Sequence, residues 1–121
     1  MAKKIVIIED EPTIADLAKL ILTRAGYEVT VCDNGRDALD TVRRVMPHLI
    51  LLDVILPGVD GATLAKQLHE EEQLSLIPVI ITSALEESRS LFAGNPQIKD
   101  FASKPFALNV LLDKVKQALG D

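Results

Sequence analysis

The stretch His48-Leu-Ile-Leu-Leu-Asp-Val-Ile-Leu-Pro-Gly-Val-Asp-Gly61 decides the fold, because an unbroken apolar run ends on a carboxylate before the chain turns at Pro57-Gly58. Leu49 to Leu52 lack polar alternation, so they predict a strand that is covered on both faces in a parallel sheet. Asp53 then stands at the carboxyl end of that strand, the edge where ligands bind in open α/β sheets. On this stretch alone, an Asp that caps the next turn remains an equally valid interpretation.

Strands and helices are predicted to alternate along the whole chain. The strands are Lys4–Ile8, Tyr27–Cys32, Leu49–Leu52, Leu74–Thr82 and Ile98–Ala102. Helices with apolar positions at helical spacing begin near Thr13, Ala38, Gly61, Glu86 and Ala107. Such alternation with short connections predicts one α/β domain over residues 1–121, a doubly wound, five-stranded parallel sheet flanked by five helices.

Composition limits the classes of function. The 121 residues carry a formal net charge of −5, and the basic residues form no stripe, so direct binding to nucleic acid is not expected. Cys32 is the only cysteine, which excludes disulfides and thiolate metal sites and fits a reducing cytoplasm. The apolar run after Met1 is too short for a signal peptide or a membrane span. We therefore predict a cytoplasmic protein.

Polar side chains follow the ends of four of the predicted strands. Glu9 and Asp10 follow the first strand, Asp53 ends the third, Ser83 follows the fourth and Lys104 follows the fifth. Three carboxylates at one crevice repel each other, so they either raise one another's pKa or hold a cation. Magnesium prefers a few carboxylate oxygens and keeps several waters, so it suits an open site of this kind.

The same constellation suits phosphoryl transfer. A carboxylate can act as a nucleophile toward phosphorus, while a metal ion offsets the charge on the transferring group. An ammonium and a hydroxyl on the other side of the crevice can bind the remaining phosphoryl oxygens. Taken singly, Lys104 is better explained as a solvated lysine and Ser83 as a turn hydroxyl. Their joint occurrence at strand ends favours the functional interpretation.

These residues resemble one family, the receiver domains of two-component response regulators, over essentially the whole chain. The resemblance rests on four motifs: Ile8-Glu9-Asp10-Glu11-Pro12, Asp53 with Pro57-Gly58 and Asp60-Gly61 behind it, Ser83-Ala84, and Lys104-Pro105-Phe106. It implies a flavodoxin-like sheet with the strand order 2-1-3-4-5. It also implies a phosphoacceptor switch that catalyses only its own phosphorylation and dephosphorylation. Such a switch is not an enzyme with a separate substrate.

The resemblance assigns a role to each residue of the crevice. Asp53 would accept a phosphoryl group from a sensor histidine kinase or a phosphotransfer protein. Asp10 and Asp53 would bind Mg²⁺, or another divalent cation such as Mn²⁺, with help from Glu9 through water and from the backbone carbonyl of Ile55. Lys104 would pair with the phosphoryl oxygens.

A switch pair and an output face are implied as well. The Ser83 hydroxyl would move toward the phosphoryl group while the Phe101 ring turns inward. This change would reshape the face built from the fourth helix, the fifth strand and the fifth helix. A downstream protein effector, or a second copy of the chain, would bind that face; no nucleic acid and no membrane is expected to do so.

The sequence departs from the family pattern at Glu9, at His48, which stands where an Asp commonly follows the Pro, and in the segment from Gly94 to Asp100. Glu9 stands where Asp is more usual, which keeps the charge and adds one methylene. The segment from Gly94 to Asp100 lacks the usual Gly-Ala and is one residue short. Ile55 and Leu85, two residues after Asp53 and Ser83, are aliphatic at positions that border the phosphoryl group in receiver domains, which predicts a long-lived aspartyl phosphate.

Two other functions compete with the phosphorylatable switch. A degenerate receiver would be a phosphorylation-independent interaction module, but the retained acids, Ser83 and Lys104 favour the switch. A small phosphatase with an aspartyl nucleophile normally carries a second Asp two residues later, where this chain has Ile55. A dinucleotide-binding domain is excluded because the turn after the first strand is acidic and has no glycine-rich phosphate loop.

Overall fold

The computed structural model describes residues 2–83, 86–92 and 94–121. Five parallel strands form one sheet in the order β2-β1-β3-β4-β5, which confirms both the parallel sheet and the strand order that were expected. The strands are β1 (Lys4–Ile8), β2 (Glu28–Cys32), β3 (Leu49–Asp53), β4 (Val79–Ser83) and β5 (Ile98–Ser103).

Four α-helices flank the sheet in the described part of the chain, where five helices were predicted. They are α1 (Pro12–Arg24), α2 (Ala38–Val45), α3 (Gly61–Glu70) and α4 (Leu108–Leu119). Between β4 and β5 the chain forms a 3₁₀ helix, Glu86–Phe92, so the prediction of an α-helix there was wrong. Asn95 N closes a turn onto Phe92 O, Gly94 has a φ of +81°, and Pro96 has no N–H to extend a helix.

The sheet is covered on both faces, as the apolar run in β3 predicts. All five residues of β3 are buried. On one face, α1 and α4 pack Leu22 and Leu111 against Ile5 and Leu51. On the other face, residues of α2 and α3 pack against the alternate residues of the same strands: Val42, Leu64 and Leu68 against Val6, Ile50 and Leu52. Full burial of each such side chain contributes roughly 1.5–3 kcal/mol, so the central strands are held firmly in place.

The fourth strand begins later than predicted. Residues Leu74 to Ile77 form turns, and β4 starts at Val79. The buried side chain of Gln97 holds the apolar segment of residues 74–77 in place without strand pairing. Its Nε2 donates to Leu74 O at 2.8 Å and to Ile77 O at 2.9 Å. The sequence pattern did not show these hydrogen bonds, because they join residues that are 20 and 23 positions apart.

No helix among the described residues has the length and apolar character needed to cross a bilayer.

A cluster of polar side chains at the amino edge of the sheet joins Lys3 and Tyr27 to Asp121. The Tyr27 hydroxyl donates to Asp121 Oδ2 at 2.7 Å, and Lys3 Nζ pairs with the same carboxylate. Lys3 Nζ also donates to Leu119 O at 3.0 Å. Burial, together with the Asp121 carboxylate, raises the pKa of Tyr27 to about 12.

This cluster predicts a stability change at alkaline pH. The pKa of Tyr27 is raised in the folded state, so its contribution is fully present below pH 10 and is lost as the pH rises toward 12. We expect Tyr27→Phe to lower the free energy of unfolding by about 1 kcal/mol at pH 8. The free energies of unfolding of the wild type and of Tyr27→Phe, measured with urea, should converge between pH 10 and 12. An unchanged difference across that range would contradict the assignment.

Candidate functional site

The carboxyl ends of the three central strands and of β5 meet at one edge of the sheet. The register places Ile8 beside Leu52, Asp53 beside Thr82, and Ser83 beside Ser103. Glu9 and Asp10 directly follow β1, and Lys104 directly follows β5. The residues predicted from the sequence to form one site therefore lie at one edge, although they come from four separate segments.

Three carboxylates converge at this edge. Glu9, Asp10 and Asp53 each offer an oxygen, and these oxygens lie within 4.8 Å of one another. Glu9 and Asp53 are buried, with 3% and 6% of their surface exposed, whereas Asp10 faces solvent. Hard oxygen donors, two held in the protein and one open to water, are the ligand set that suits Mg²⁺ with part of its water shell. The donor set thus fits a divalent cation.

Backbone amides orient two of the carboxylates. Glu11 N donates to Glu9 Oε2 at 3.2 Å, in the turn that leads into α1. Ile55 N approaches Asp53 Oδ1 at 3.4 Å, a weak hydrogen bond at the start of the loop that leads into α3. Each carboxylate keeps its other oxygen directed toward Lys104.

Lys104 lies between the two buried carboxylates. Its Nζ is 2.6 Å from Glu9 Oε1 and 3.2 Å from Asp53 Oδ2, and only 14% of its side chain is exposed. Its backbone N donates to Ser83 O at 2.7 Å, and its peptide bond to Pro105 is cis. The sequence placed this ammonium across the crevice from the acids, but the structure places it in contact with them.

The charges of this cluster shift two pKa values. Burial raises the pKa of Glu9, and the neighbouring Asp53 carboxylate raises it further, against the opposing effect of the Lys104 ammonium. For Lys104, burial alone lowers the pKa, but the hydrogen bond to Glu9 and the charges of Asp53 and Glu9 outweigh it, so the pKa is raised. Lys104 therefore stays charged at neutral pH and offsets the two acids beside it.

The predicted switch residues lie on neighbouring strands. Ser83 ends β4 with 9% of its surface exposed, and Phe101 lies on β5, opposite Ile81. The Phe101 ring is half-buried. Its centroid is 6.1 Å from that of Phe92, with the rings tilted by 59°, and Arg89 Cζ lies 4.8 Å from it.

Exposure differs sharply among the apolar side chains around the switch residues. Phe92 is buried, because its ring packs against Phe101, whereas its neighbour Leu91 is 60% exposed. The contact of Arg89 with Phe101 was missed, since no local spacing connects the two residues. Leu85, one of the two residues expected to border the phosphoryl group, lies outside the described residues. The other, Ile55, is 65% exposed beside Asp53.

An apolar hollow adjoins the acidic cluster. It measures about 200 Å³ and is lined by Ile14, Leu17, Lys104, Pro105, Phe106 and Leu108. Lys104 is shared between the hollow and the site, so a protein seated there would stand next to Asp53. No motif in the sequence indicates this surface.

Fold and site together define a flavodoxin-like α/β domain with an acidic cluster and a lysine at the carboxyl edge of its sheet. Residues 5–116 match the response regulator receiver domain. The chain belongs to this family, and is therefore a receiver domain of the two-component type. As a family, receiver domains act as phosphoacceptor switches and interact with histidine kinases or phosphotransfer proteins.

Solved structures agree with this assignment. The signal receiver domain of a signal transduction histidine kinase from Syntrophus aciditrophicus is 36% identical, with a TM-score of 0.87 over 98% of this chain and 91% of that one. A protein described as a response regulator from Chloroflexus aurantiacus J-10-fl is 30% identical, with a TM-score of 0.90 and full coverage of both chains. The receiver domain of a sensor histidine kinase from Pseudomonas aeruginosa PAO1 is 27% identical, with a TM-score of 0.89 and full coverage of both chains. That structure has a magnesium ion coordinated in its active-site cleft.

Proposed function

We propose that the protein is a phosphoacceptor switch that takes a phosphoryl group onto Asp53. One observation carries this proposal: the buried Asp53 carboxylate lies 3.2 Å from the Lys104 ammonium and within 4.8 Å of two further acids. An oxygen of Asp53 would attack phosphorus, the bond from phosphorus to the donor's imidazole nitrogen would break, and the electron pair would stay on that nitrogen. The phosphohistidine donor comes from the family resemblance.

A divalent cation is part of this proposal. Asp10 and Asp53 would bind Mg²⁺ directly, Glu9 would assist through water, and the backbone carbonyl of Ile55 would complete the protein ligands. Mn²⁺ has similar ligand preferences and would serve in the same place. When bound, the ion supplies positive charge that offsets the charge on the transferring phosphoryl group. Glu9, being one methylene longer than Asp, spans the distance to Lys104 while staying in the acidic cluster.

Lys104 and Ser83 would hold the phosphoryl oxygens. The Lys104 ammonium is already 3.2 Å from Asp53, so it needs little movement to reach an oxygen of a phosphoryl group on that residue. Ser83 lies at the end of the adjacent strand, and its hydroxyl can donate to a second oxygen. Donors fixed in place before the reaction cost no reorganisation when charge develops.

The partner that donates the phosphoryl group would be a sensor histidine kinase or a phosphotransfer protein in the cytoplasm. The apolar hollow beside Lys104 supports a protein donor, because it offers Leu17, which is 44% exposed, next to the acidic cluster. Apolar contacts there would bring a donor imidazole to Asp53 without adding negative charge near the acids.

The proposed function is tested by phosphorylation with a small phosphodonor such as acetyl phosphate. We expect the intact mass to rise by one phosphoryl group in Mg²⁺ buffer and to stay unchanged with a chelator. The chelated sample with excess Mg²⁺ restored is the control for damage by the chelator. Equal phosphorylation with and without the ion would reject the role of the metal, and no phosphorylation under either condition would favour an interaction module.

The output is proposed to pass through the face around Phe101. Phe101 is half-buried and contacts Phe92 and Arg89, so inward rotation of its ring would break both contacts and alter the 3₁₀ helix. We expect beryllofluoride with Mg²⁺ to shift the amide NMR signals of residues 84–106, and Phe101→Ala to reduce those shifts beyond β4. An unchanged spectrum in the wild type would replace the switch with a phosphorylation-independent module.

We expect the aspartyl phosphate on Asp53 to hydrolyse slowly, because of the side chain of Ile55. It is 65% exposed two residues after Asp53, and it has no hydrogen-bonding group to orient an attacking water. We expect Ile55→Asn to hydrolyse the aspartyl phosphate roughly tenfold faster, a change of about 1.4 kcal/mol in the barrier. Loss of phosphate is followed by mass in Mg²⁺ buffer. Ile55→Leu, which stays aliphatic, is the matched control, and an asparagine variant as slow as that control would contradict the shielding argument.

A further inference from the structure

Two turns touch backbone to backbone beside the acidic cluster. One is the β2–α2 turn, residues 33–37, and the other is the β3–α3 loop, residues 54–60. Gly35 N donates to Pro57 O at 2.9 Å. A Cβ at Gly35 would lie 2.0 Å from Val59 O and 2.7 Å from Val59 N, so an alanine methyl would require the backbones to part by more than about 1 Å. Only glycine fits this approach.

The β2–α2 turn cannot easily yield, because its own side chains fix it. Asn34 Oδ1 accepts from Asp37 N at 2.9 Å, and Asn34 Nδ2 donates to the carboxylates of Asp33 and Asp37 at 2.9 and 3.1 Å. The Cys32 thiol, which is buried, donates to Asn34 O at 3.2 Å. A clash at Gly35 would therefore be relieved mainly by movement of the β3–α3 loop.

The β3–α3 loop is held at its ends by separate contacts. At its start, Val54 N donates to Thr82 O at 3.3 Å, and Gly61 N donates to Val54 O at 2.7 Å. At its other end, Asp60 caps α3 by accepting from Thr63 N at 2.8 Å. The hydrogen bond from Gly35 holds the middle. Ile55, whose carbonyl is the proposed metal ligand, lies between the fixed start and that middle contact.

We propose that Gly35 is a positioning residue for the magnesium site: its lack of a side chain lets the β2–α2 turn hold in place the β3–α3 loop that carries Ile55, two residues after Asp53. This inference rests on the proposed function. Magnesium demands near-ideal octahedral geometry, so a small displacement of one ligand weakens binding. Residues that contact the metal ligands and orient them, without binding the metal themselves, typically change metal affinity 10- to 100-fold when they are replaced.

The test compares Gly35→Ala with Gly26→Ala. Gly26 has a φ of +98°, a Cβ there would meet no atom within 4 Å, and the residue lies at the amino edge of the sheet, so its alanine variant is strained but remote from the site. Amide NMR spectra of metal-free protein, followed by titration with Mg²⁺, give both the loop position and the affinity. We expect Gly35→Ala to shift the metal-free signals of residues 54–60 and to bind Mg²⁺ roughly tenfold more weakly. Gly26→Ala should bind like the wild type.

The outcomes separate this inference from the proposed function. A wild type that binds no Mg²⁺ rejects the proposed metal site, and the inference falls with it. A wild type that binds Mg²⁺ and a folded Gly35→Ala that binds it equally overturn the inference alone. If Gly35→Ala fails to fold, Gly58→Ala takes its place: Gly58 has a φ of +89°, and a Cβ there would lie 2.7 Å from Arg36 Cγ and 3.3 Å from Arg36 N of the β2–α2 turn, so the substitution strains the same contact from the side of the β3–α3 loop. Wild-type affinity in that variant would overturn the inference as well.

Discussion

Asp53→Asn is expected to abolish phosphorylation while leaving the protein folded. Asparagine has the same shape as aspartate, so its side-chain oxygen can still accept from Ile55 N, but an amide oxygen is not a nucleophile toward phosphorus. The intact mass after incubation with acetyl phosphate and Mg²⁺ should stay unchanged. Residual phosphorylation at the wild-type level would place the acceptor on another residue.

The electrostatics of the site indicate that this variant loses no stability. Asp53 and Glu9 are both buried and share the single ammonium of Lys104. The hydrogen bond and charge of Asp53 raise the pKa of Glu9, so the neutral amide should bring that pKa down. One carboxylate would then pair with one ammonium, and the free energy of unfolding should be unchanged or higher by up to about 1 kcal/mol.

Asp60→Asn provides the matched control for the loss of phosphorylation. Asp60 lies in the same β3–α3 loop and caps α3 through Thr63 N. Asparagine is an equally good N-cap, so this variant removes one negative charge from the loop without removing the cap. It should be phosphorylated like the wild type. A loss in both variants would indicate that the charge of the loop matters, and not the nucleophile.

The central part of the fold could be predicted from the sequence because it depends on local patterns. The apolar run of β3 shows its burial directly, and the polar residues at or just after the ends of β1, β3 and β5 show where polar groups meet. The strand order came from the resemblance to receiver domains, since the apolar pattern of each strand does not name its neighbour. The structure bears out that order.

The features that could not be predicted depend on contacts between distant segments. The 3₁₀ helix from Glu86 to Phe92 carries helix-compatible residues, yet Gly94 and the following turn leave no room for an α-helix. The Gly35 contact involves backbone atoms of Val59, so no side-chain pattern reports it. The pairing of Lys104 with Glu9 likewise appears only when β1 and β5 lie in one sheet.

Lys104→Met is expected to impair both the stability and the chemistry of the site. Methionine retains the length of the side chain but removes the only ammonium within salt-bridge distance of the buried Glu9 and Asp53 carboxylates in the described part of the chain. Breaking a buried pair costs about 3–5 kcal/mol, and the 14% exposure of Lys104 lowers the expected loss to about 2 kcal/mol. Urea unfolding at pH 7 measures this loss.

The stability loss should depend on pH in a defined direction. Without the ammonium, the pKa of Glu9, already raised by burial, rises further. When a group has a higher pKa in the folded than in the unfolded protein, its contribution to stability is fully present at a pH below the unfolded pKa, which is 4.5 for Glu. That contribution is lost as the pH rises through the pKa of the folded protein. The difference between wild type and Lys104→Met should therefore be large at neutral pH and shrink as the pH falls toward 4.5. A difference that grows on acidification would contradict this account.

The chemical effect of Lys104→Met follows from the same geometry. The ammonium that pairs with Asp53 at 3.2 Å is the group proposed to hold a phosphoryl oxygen, and loss of one such preorganised donor slows reactions by roughly 100-fold or more. The rate at which the mass increases with acetyl phosphate in saturating Mg²⁺ measures this effect.

Lys114→Met is the matched control, because Lys114 pairs with Asp100 at 3.1 Å on a more exposed surface. The control should cost less than about 1 kcal/mol and react at the wild-type rate. Equal rates in Lys104→Met and the control would show that Lys104 serves the fold and not the phosphoryl transfer.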